Sequence, residues 1–140
     1  MPKLTVTGLE ELQAKLSRLS GPQARQIMET AVRDGADIVA DKVRSNLNGV
    51  LSGKSTGQLA DSLGITPVST DSKGMVNVKV GFDGHDSKGT SNSLKATVLE
   101  YGSRRQQARP FMTPAARATK ARVKEKMTEV IEREIEKIMN

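Results

Sequence analysis

The stretch that decides the fold is the last quarter of the chain, residues 108–140, which reads ARPFMTPAARATKARVKEKMTEVIEREIEKIMN. Thr113-Pro114 supplies a helix N-cap followed by a proline in the first turn, where its missing N–H costs nothing. Beyond it, apolar residues repeat at steps of three and four, the period of one helix face: Ala116, Val123, Met127, Val130, Ile131, Ile135 and Ile138. The pattern predicts a helix of about 26 residues that is roughly 39 Å long.

A helix of that length is longer than the domain that carries it. The 140 residues fit a single domain, which we expect to span residues 1–140 and to be about 30 Å across. Part of the apolar stripe should therefore lack cover within the chain and contact another subunit. The candidate interface residues on this helix are Met127, Ile131, Ile135 and Ile138.

Two further helices are predicted near the N-terminus, after a short strand or extended arm at residues 3–6. Leucines between positions 9 and 19 repeat at helical spacing, and a second helix should run from Pro22 to about Asn46–Asn48, where Asn48-Gly49 indicates a stop. Gly35 lies in its middle, where glycine costs about 1 kcal/mol relative to alanine. We therefore expect either a close helix–helix contact or a bend at Gly35.

The middle of the chain predicts a small antiparallel sheet. Residues 65–70 and 75–82 read as two strands joined by a turn at 71–74, and valines alternate with polar residues in the second strand. The type of the short element at 96–101 stays open. The fold class is therefore α+β, with N-terminal helices, a small central antiparallel sheet and a long C-terminal helix. Stretches rich in glycine and serine predict mobile loops near 48–57 and 83–93.

The composition excludes several kinds of protein. The chain has no cysteine, which excludes a disulfide framework, a cysteine zinc site, an iron–sulfur cluster and a thiol nucleophile. Aromatic residues make up 2% of the chain, so the core must come mostly from aliphatic side chains. No segment approaches the roughly 20 apolar residues of a membrane span, and no signal peptide is evident. We expect a soluble protein made inside the cell, with no membrane partner.

The positive charge is concentrated in residues 104–126. This segment carries eight Lys and Arg residues and one Glu, a net charge of +7, whereas the whole chain carries +6. Such a stretch favours an anionic neighbour, which could be nucleic acid, an acidic protein surface or the acidic patch of a second copy. A solvated helix face is the alternative. Single-stranded nucleic acid is usually held by stacking on aromatic side chains, and these are nearly absent here.

No catalytic, cofactor or metal site is predicted. Gly53-Lys54-Ser55 resembles the end of a phosphate-binding loop, but the earlier glycine is out of step and a helix, not a strand, precedes it. Asp83, His85 and Asp86 group the single histidine with two carboxylates in a polar turn that offers too few ligands for a metal. With no base positioned beside a nucleophile, we expect no enzyme activity.

Four segments together resemble the small tail-completion, or head–tail joining, proteins of bacteriophages with long, non-contractile tails. Residues 6–12 (VTGLEEL) are similar to that family's opening strand, Gly-Leu and amphipathic helix, and residues 56–63 (TGQLADSL) match its T-G-x-L-x-x-S-apolar segment. Residues 99–103 (LEYGS) resemble its apolar-E-aromatic-G-[ST] segment. Residues 108–115 (ARPFMTPA) match its A-R-P-F-apolar-x-P-A signature. The loop at 83–93 follows no pattern of the family.

The resemblance implies a structural role in the virion. Such proteins form a ring, commonly sixfold, at the head-proximal end of the tail, made in the host bacterial cytoplasm. The implied partners are further copies of the chain, the tail-tube and tail-terminator proteins and the neck (connector) proteins, with DNA only passing through the channel. A basic nucleic-acid-binding protein is the alternative function.

The same resemblance places candidate interface residues before the last helix: Glu100, Tyr101, Arg104, Arg105, Arg109, Pro110 and Phe111. In residues 109–111 the proline would fix a turn, the phenylalanine would bury its ring, and the arginine would pair with backbone carbonyls or a carboxylate. Phe111 could instead be an ordinary core residue that closes the sheet against the last helix. Glu100 and Tyr101 could simply close a turn.

Overall fold

The computed structural model describes residues 3–7, 16, 19, 21–51 and 57–139. Within these residues the elements are, in order, β1 (Leu4–Thr7), α1 (Gly21–Val50), α2 (Gln58–Asp61), β2 (Leu63–Ile65), β3 (Ser69–Thr70), β4 (Val76–Phe82), α3 (Asn92–Tyr101) and α4 (Met112–Met139). A small antiparallel sheet combined with a long C-terminal helix confirms the α+β prediction. The helix predicted from the leucines between positions 9 and 19 lies almost wholly outside the described residues.

The two long helices, α1 and α4, pack against each other in antiparallel directions. Gly35 of α1 lies beside the middle of α4, and a Cβ atom built there would be 3.0 Å from Cγ1 of Val123 and 3.4 Å from Cγ of Met127. Eleven residues further along α1, the side-chain amide of Asn46 donates to the carbonyl of Phe111 at 3.1 Å, next to the start of α4. The close helix contact expected at Gly35 is confirmed.

Strand β4 is the centre of the sheet. It pairs antiparallel with β1 along one edge, in the register Leu4↔Val80, and with β2 and β3 along the other, where Ile65 lies opposite Val80. The sequence predicted one strand over 65–70, but the structure has two short strands on either side of residues 66–68. Pro67 lies in this gap, and a proline has no N–H to donate to a sheet ladder.

The core lies between the helix pair and one face of the sheet. Val76, Val78 and Val80 are buried on β4 and alternate with residues of the other face, as predicted for a sheet covered on one side. The largest fully buried apolar side chains among the described residues come from both helices, the sheet and the residue before α4: Met28, Val32, Val43, Leu47, Val78, Val80, Phe111, Met127, Val130 and Ile131. The core is therefore mostly aliphatic, as the composition predicted.

Both long helices begin or end away from their predicted positions. Helix α1 continues to Val50, past the stop expected at Asn48-Gly49, and helix α4 begins at Met112. The element of open type at 96–101 belongs to helix α3, which starts inside the predicted loop 83–93. Side chains distant in the sequence set the bounds of α1 and α4.

Candidate assembly interface

Glu100 caps helix α4 from a neighbouring helix. It is the second-last residue of α3 and only 4% exposed, and its Oε2 accepts hydrogen bonds from the backbone N–H groups of Phe111 at 2.8 Å and Met112 at 3.1 Å. Its Oε1 accepts from the N–H of Thr113 at 2.8 Å. These are N–H groups that a helix start leaves without intrahelical partners. The N-cap role predicted for Thr113 is therefore wrong, because Thr113 lies inside the first turn and Glu100 satisfies these donors.

The same contacts keep Glu100 ionised. Burial raises the pKa of its carboxyl group, but the hydrogen bonds from the N–H groups of Thr113, Phe111 and Met112 lower it, and the resulting pKa is below the usual value of 4.5. The positive end of the α4 dipole also favours a carboxylate here. Glu100, predicted as an interface residue, thus serves the fold of its own chain.

Gly102 turns the chain sharply between α3 and the loop that leads to α4. Its φ of 80° and ψ of 177° belong to a region open essentially to glycine alone. A Cβ atom there would be 2.9 Å from the backbone nitrogen of Ala108 and 3.0 Å from the carbonyl oxygen of Gln106. Within the loop, the N–H of Ser103 donates to the Gln106 carbonyl at 2.8 Å. Position 102 therefore requires glycine for two reasons: its backbone angles are unfavourable for any other residue, and the loop leaves no room for a Cβ atom.

Arg109 fastens this loop to the end of helix α1. Its Nη1 donates to the carbonyl of Val50, the last residue of α1, at 2.8 Å, and its backbone N–H donates to the carbonyl of Leu99 at 2.7 Å. A cation that bonds a terminal carbonyl also offsets the negative end of the helix dipole. The expectation that Arg109 pairs with a backbone carbonyl is confirmed, and the contact explains why α1 runs to Val50.

Phe111 lies in the core of the single chain. Its side chain has no exposed surface, and its ring meets that of Phe82 edge to face, with centroids 5.8 Å apart. Of the two interpretations of Phe111, the structure supports the intrachain one, in which the residue closes the sheet against the last helix. A side chain without exposed surface cannot touch a partner in this conformation, which corrects its assignment to an interface.

The apolar stripe of α4 is covered over most of its length. Met127 is 1% exposed and Ile131 is fully buried, because α1 and the sheet lie against that part of the helix. These two residues are also corrected from interface to core. Ile135 is half-buried at the edge of the core, and Ile138 remains 42% exposed. Only the last turns of α4 carry the uncovered apolar surface that the length of the helix predicted.

The remaining candidates lie on the surface, at the other end of α4. Tyr101 is 67% exposed, and Arg104, Arg105 and Pro110 are exposed as well. Among the described residues, no carboxylate forms an ion pair with Arg104 or Arg105. The structure therefore brings Tyr101 and the two arginines together as a surface that a partner can reach.

The sequence missed one exposed residue of this surface, Leu94, which is 55% exposed. It precedes Val98 and Tyr101 by four and seven residues, so that the three share one face of α3. The signal was present in the sequence as a helical repeat. It could be used only once residues 92–101 were known to form a helix, because the short segment alone did not fix its type.

The cluster around the histidine is an ordered polar turn. Oδ1 of Asp86 accepts from the N–H groups of Lys88 and Thr90, each at 2.9 Å, and Oδ2 pairs with Nζ of Lys95 at 2.9 Å. The hydrogen bond from Lys95 is the main cause that lowers the pKa of Asp86 to about 2. The carboxylate is thus used within the turn, and the exposed polar turn predicted for this cluster is confirmed. No group of His, Asp or Glu residues that could hold a metal ion occurs in the part of the chain that the structure describes.

Residues 53–55, which resemble the end of a phosphate-binding loop, lie outside the described residues. Of the helices in the described ranges, none combines the length and the apolar character needed to cross a membrane.

Comparison with known proteins identifies the chain. The family model described as "Bacteriophage HK97-gp10, putative tail-component" matches residues 10–102, about two thirds of the chain. The chain is thus a structural component of a bacteriophage tail, and hence a virion protein. It belongs to the HK97-gp10-like family. No match was found among curated proteins or among solved structures.

The matched residues confirm the family predicted from the sequence motifs. They contain the TGQLADSL segment and LEYG of the LEYGS segment, and they end at Gly102. The ARPFMTPA segment and helix α4 lie beyond the match. The structure gives that segment a role inside the chain, because Arg109 holds the end of α1 and Phe111 completes the core.

Proposed function

We propose that this tail component is a tail-completion protein, which assembles into a ring, sixfold by the family resemblance, at the head-proximal end of the tail. The ring joins the tail to the neck of the capsid. Its partners are further copies of the chain, the tail-tube and tail-terminator proteins on one side and the neck (connector) proteins on the other. It has no membrane partner, and we expect no catalytic activity.

The observation that carries the proposal is the uncovered end of helix α4. An apolar residue such as Ile138 gains free energy when a neighbour removes it from water, by about 25 cal/mol for each Å² buried. A ring requires each copy to present two different surfaces that fit one another. The exposed Tyr101 lies near the start of helix α4 and the exposed Ile138 lies near its end. One copy can therefore present two different surfaces, separated by the length of this helix.

The charge of α4 supports a place around passing DNA. Arg117, Lys120 and Arg122 are exposed in the first half of the helix, within the stretch that carries the concentrated positive charge. If these residues line the channel, they meet the phosphates of the DNA without reading its bases. The alternative function, a basic nucleic-acid-binding protein, uses the same residues as its main binding surface.

Measuring the mass of the protein tests the assembly function. Light scattering on the purified full chain, alone and mixed with tail-tube and connector proteins, should show a ring or a defined complex, and electron microscopy should place it at the head-proximal end of assembled tails. A chain that stays monomeric in every mixture and is absent from tails contradicts the proposal.

Binding to duplex DNA across a salt series separates the two functions. Each phosphate contact contributes about −0.9 to the slope of log K against log salt concentration. A nucleic-acid-binding protein should bind with sub-micromolar Kd and a steep slope. A tail-completion protein should bind free DNA weakly, because its contacts act only when the DNA is confined within the ring.

A further inference from the structure

Strand β1 forms one edge of the sheet. Within the described residues it pairs only with β4, which has neighbours on both of its sides. The outer side of an edge strand presents backbone N–H and carbonyl groups with which another chain can pair. Strand β1 is therefore a place where a different molecule can supply a further strand.

The register of the sheet shows which groups of β1 point outward. In β4, Lys79 donates its N–H to Oγ1 of Thr66, and its carbonyl accepts from the N–H of Thr66, each at 2.9 Å. The backbone of Lys79 therefore points away from β1. Thr5 of β1 lies directly opposite Lys79, so these two residues form a pair without hydrogen bonds between them. The N–H and carbonyl of Thr5 thus point to the open edge, and no other described residue bonds them.

A groove of about 770 Å³ follows this edge, between β1 and helix α4. Residues 4–7 line it on the β1 side, and Ala116, Val123 and Met127 form an apolar wall on the α4 side. The three α4 residues follow one another at spacings of seven and four, so they share one face of the helix. We call this space the β1 groove.

The exposed rim of the β1 groove is positive. Arg117, Lys120 and Lys124 line it at spacings of three and four residues, and no carboxylate is among the described residues that line it. In the described part of the chain, no carboxylate forms an ion pair with Arg117 or Lys120. Positive charge beside an edge strand repels a basic segment and attracts an acidic one.

The open edge favours a polypeptide over DNA as the anionic ligand. Thr5 presents a donor and an acceptor side by side, and the backbone of an extended peptide satisfies both. The phosphates of DNA offer acceptors only, so they leave the Thr5 carbonyl without a partner.

We infer that β1 accepts an extended, acidic segment of a partner protein, which adds to the sheet as a new edge strand. Its backbone pairs with Thr5, and its side chains on the α4 side place carboxylates beside Arg117 and Lys120. A small apolar side chain packs against Ala116. This inference gives the proposed tail-completion protein one docking surface, and it rests on that function for the partner being a virion protein.

Two blocked synthetic peptides test the surface on the purified full chain. Both have threonine at every second position and one valine, and the remaining positions are glutamate in the first peptide and lysine in the second. The glutamate peptide should bind at least about tenfold more tightly than the lysine peptide. At saturation it should slow amide exchange of the Thr5 N–H, followed by NMR, about tenfold. Failure of the glutamate peptide to bind at β1, or equal binding of both peptides, would overturn the inference.

A proline at position 5 tests the backbone pairing. Thr5→Pro removes an N–H that the sheet itself does not use, and an edge strand tolerates proline at such a position. Binding of the glutamate peptide should fall at least about tenfold, whereas Thr5→Val, which keeps the N–H, should bind as wild type does. Thermal unfolding checks that both variants are folded. Wild-type binding by a folded Thr5→Pro would show that no strand is added at this edge.

Charge reversal on α4 gives a measurement that does not depend on the fold of the proline variant. Lys120→Glu should weaken binding of the glutamate peptide about tenfold and strengthen binding of the lysine peptide. Arg122→Glu is the matched control, because Arg122 is an exposed cation of the same helix that does not line the groove. It should change neither affinity by more than about twofold. Equal effects of the two variants would contradict the assignment of the rim.

A short DNA duplex is the third probe. If the duplex perturbs the NMR signals of Thr5 and Lys120 and the glutamate peptide does not, the groove binds phosphates and the inference is wrong.

Failure of this inference can be told apart from failure of the proposed function. If the chain forms rings or joins tails while the glutamate peptide does not bind at β1, the function stands and the docking surface is wrong. If the peptide binds at β1 but the chain forms no ring and joins no tail, the surface stands and the proposed function fails.

Discussion

At the start of α4, three consecutive backbone N–H groups donate to a single carboxylate, that of Glu100, and this residue holds two helices together. Hydrogen bonds to a charged group contribute about 1.5–3 kcal/mol, and a buried donor left without a partner costs about 1–3 kcal/mol. Glu100 lies in the LEYGS segment, and this contact gives its carboxylate a role in the fold of the chain.

Replacing Glu100 by glutamine should therefore lower the free energy of unfolding by about 1–3 kcal/mol. The amide keeps one acceptor oxygen and loses the charge, so at least one N–H group at the start of α4 loses its partner. Denaturant unfolding followed by circular dichroism measures the change. The control, Glu136→Gln on the exposed side of α4, should stay within about 0.5 kcal/mol.

The contribution of Glu100 should also depend on pH. Because its pKa is lower in the folded than in the unfolded chain, the unfolded state binds the proton more readily. The stabilisation is therefore complete above the unfolded pKa near 4.5 and is lost as the pH falls through the lower folded pKa. The stability difference between wild type and Glu100→Gln should shrink in unfolding curves taken from about pH 7 down to about pH 3. A difference that is constant over this range would contradict the role of the carboxylate.

Gly102 gives a second prediction at this scale. Gly102→Ala should destabilise the protein more than Gly89→Ala, although both glycines have φ near 80°. A positive φ strains an alanine at either site, but at Gly102 the ψ of 177° adds a conformation open essentially to glycine alone, and there the new Cβ also meets the backbone of Ala108, at 2.9 Å. Thermal unfolding of both variants compares them directly, and equal effects would show that the loop moves away without cost.

At the scale of elements, the antiparallel pair α1 and α4 determines the shape of the molecule. The pair can approach closely because Gly35 has no side chain where Val123 and Met127 cross it. The small residue at position 35 and the larger side chain of Val123 therefore fit each other in the packing of the two helices. A double-mutant cycle measures the coupling free energy between these two positions.

Gly35→Ala should destabilise wild type, and the same change in a Val123→Ala background should cost at least about 0.5 kcal/mol less. The new Cβ lies 3.0 Å from Cγ1 of Val123, and removing that methyl group relieves the contact. Gly49→Ala in the same helix is the control, since nothing lies within 4 Å of its Cβ position. It should stabilise by about 0.5–1 kcal/mol through helix propensity alone. Additive effects of Gly35→Ala and Val123→Ala would contradict the close contact.

At the scale of the whole molecule, core and assembly surface are separate sets of residues. The core takes Phe111, Met127 and Ile131, whereas Tyr101 and Ile138 stay exposed at opposite ends of α4. Variants of the first set should therefore act on folding, and variants of the second set should act on assembly with the fold intact.

Phe111→Ala should cost about 3–5 kcal/mol of unfolding free energy, which is a large part of the roughly 5–15 kcal/mol of a typical domain. Its effect on assembly follows from loss of the folded chain. Lys54→Ala, in the predicted glycine-rich loop, should change stability by no more than about 0.5 kcal/mol. Denaturant unfolding and light scattering on both variants test this, and equal, negligible effects would contradict the core role of Phe111.

The sequence by itself determined the class of the fold, the long final helix, the central strand and the family. These follow from local periodicity and from short motifs, which act over a few turns or one strand. The contact at Gly35 could also be predicted, because an unfavourable residue inside a helix indicates a neighbour that requires it.

Only the tertiary structure decided which candidate residues are covered. Ile131 and Ile138 hold equivalent positions in the apolar repeat of α4, but Ile131 is buried and Ile138 is exposed. The difference in burial depends on where α1 and the sheet lie against the helix. The role of Glu100 likewise depends on folding, because its three donors come from residues 11 to 13 positions away. Local pattern fixes which elements form, whereas burial and capping depend on what the chain brings beside them.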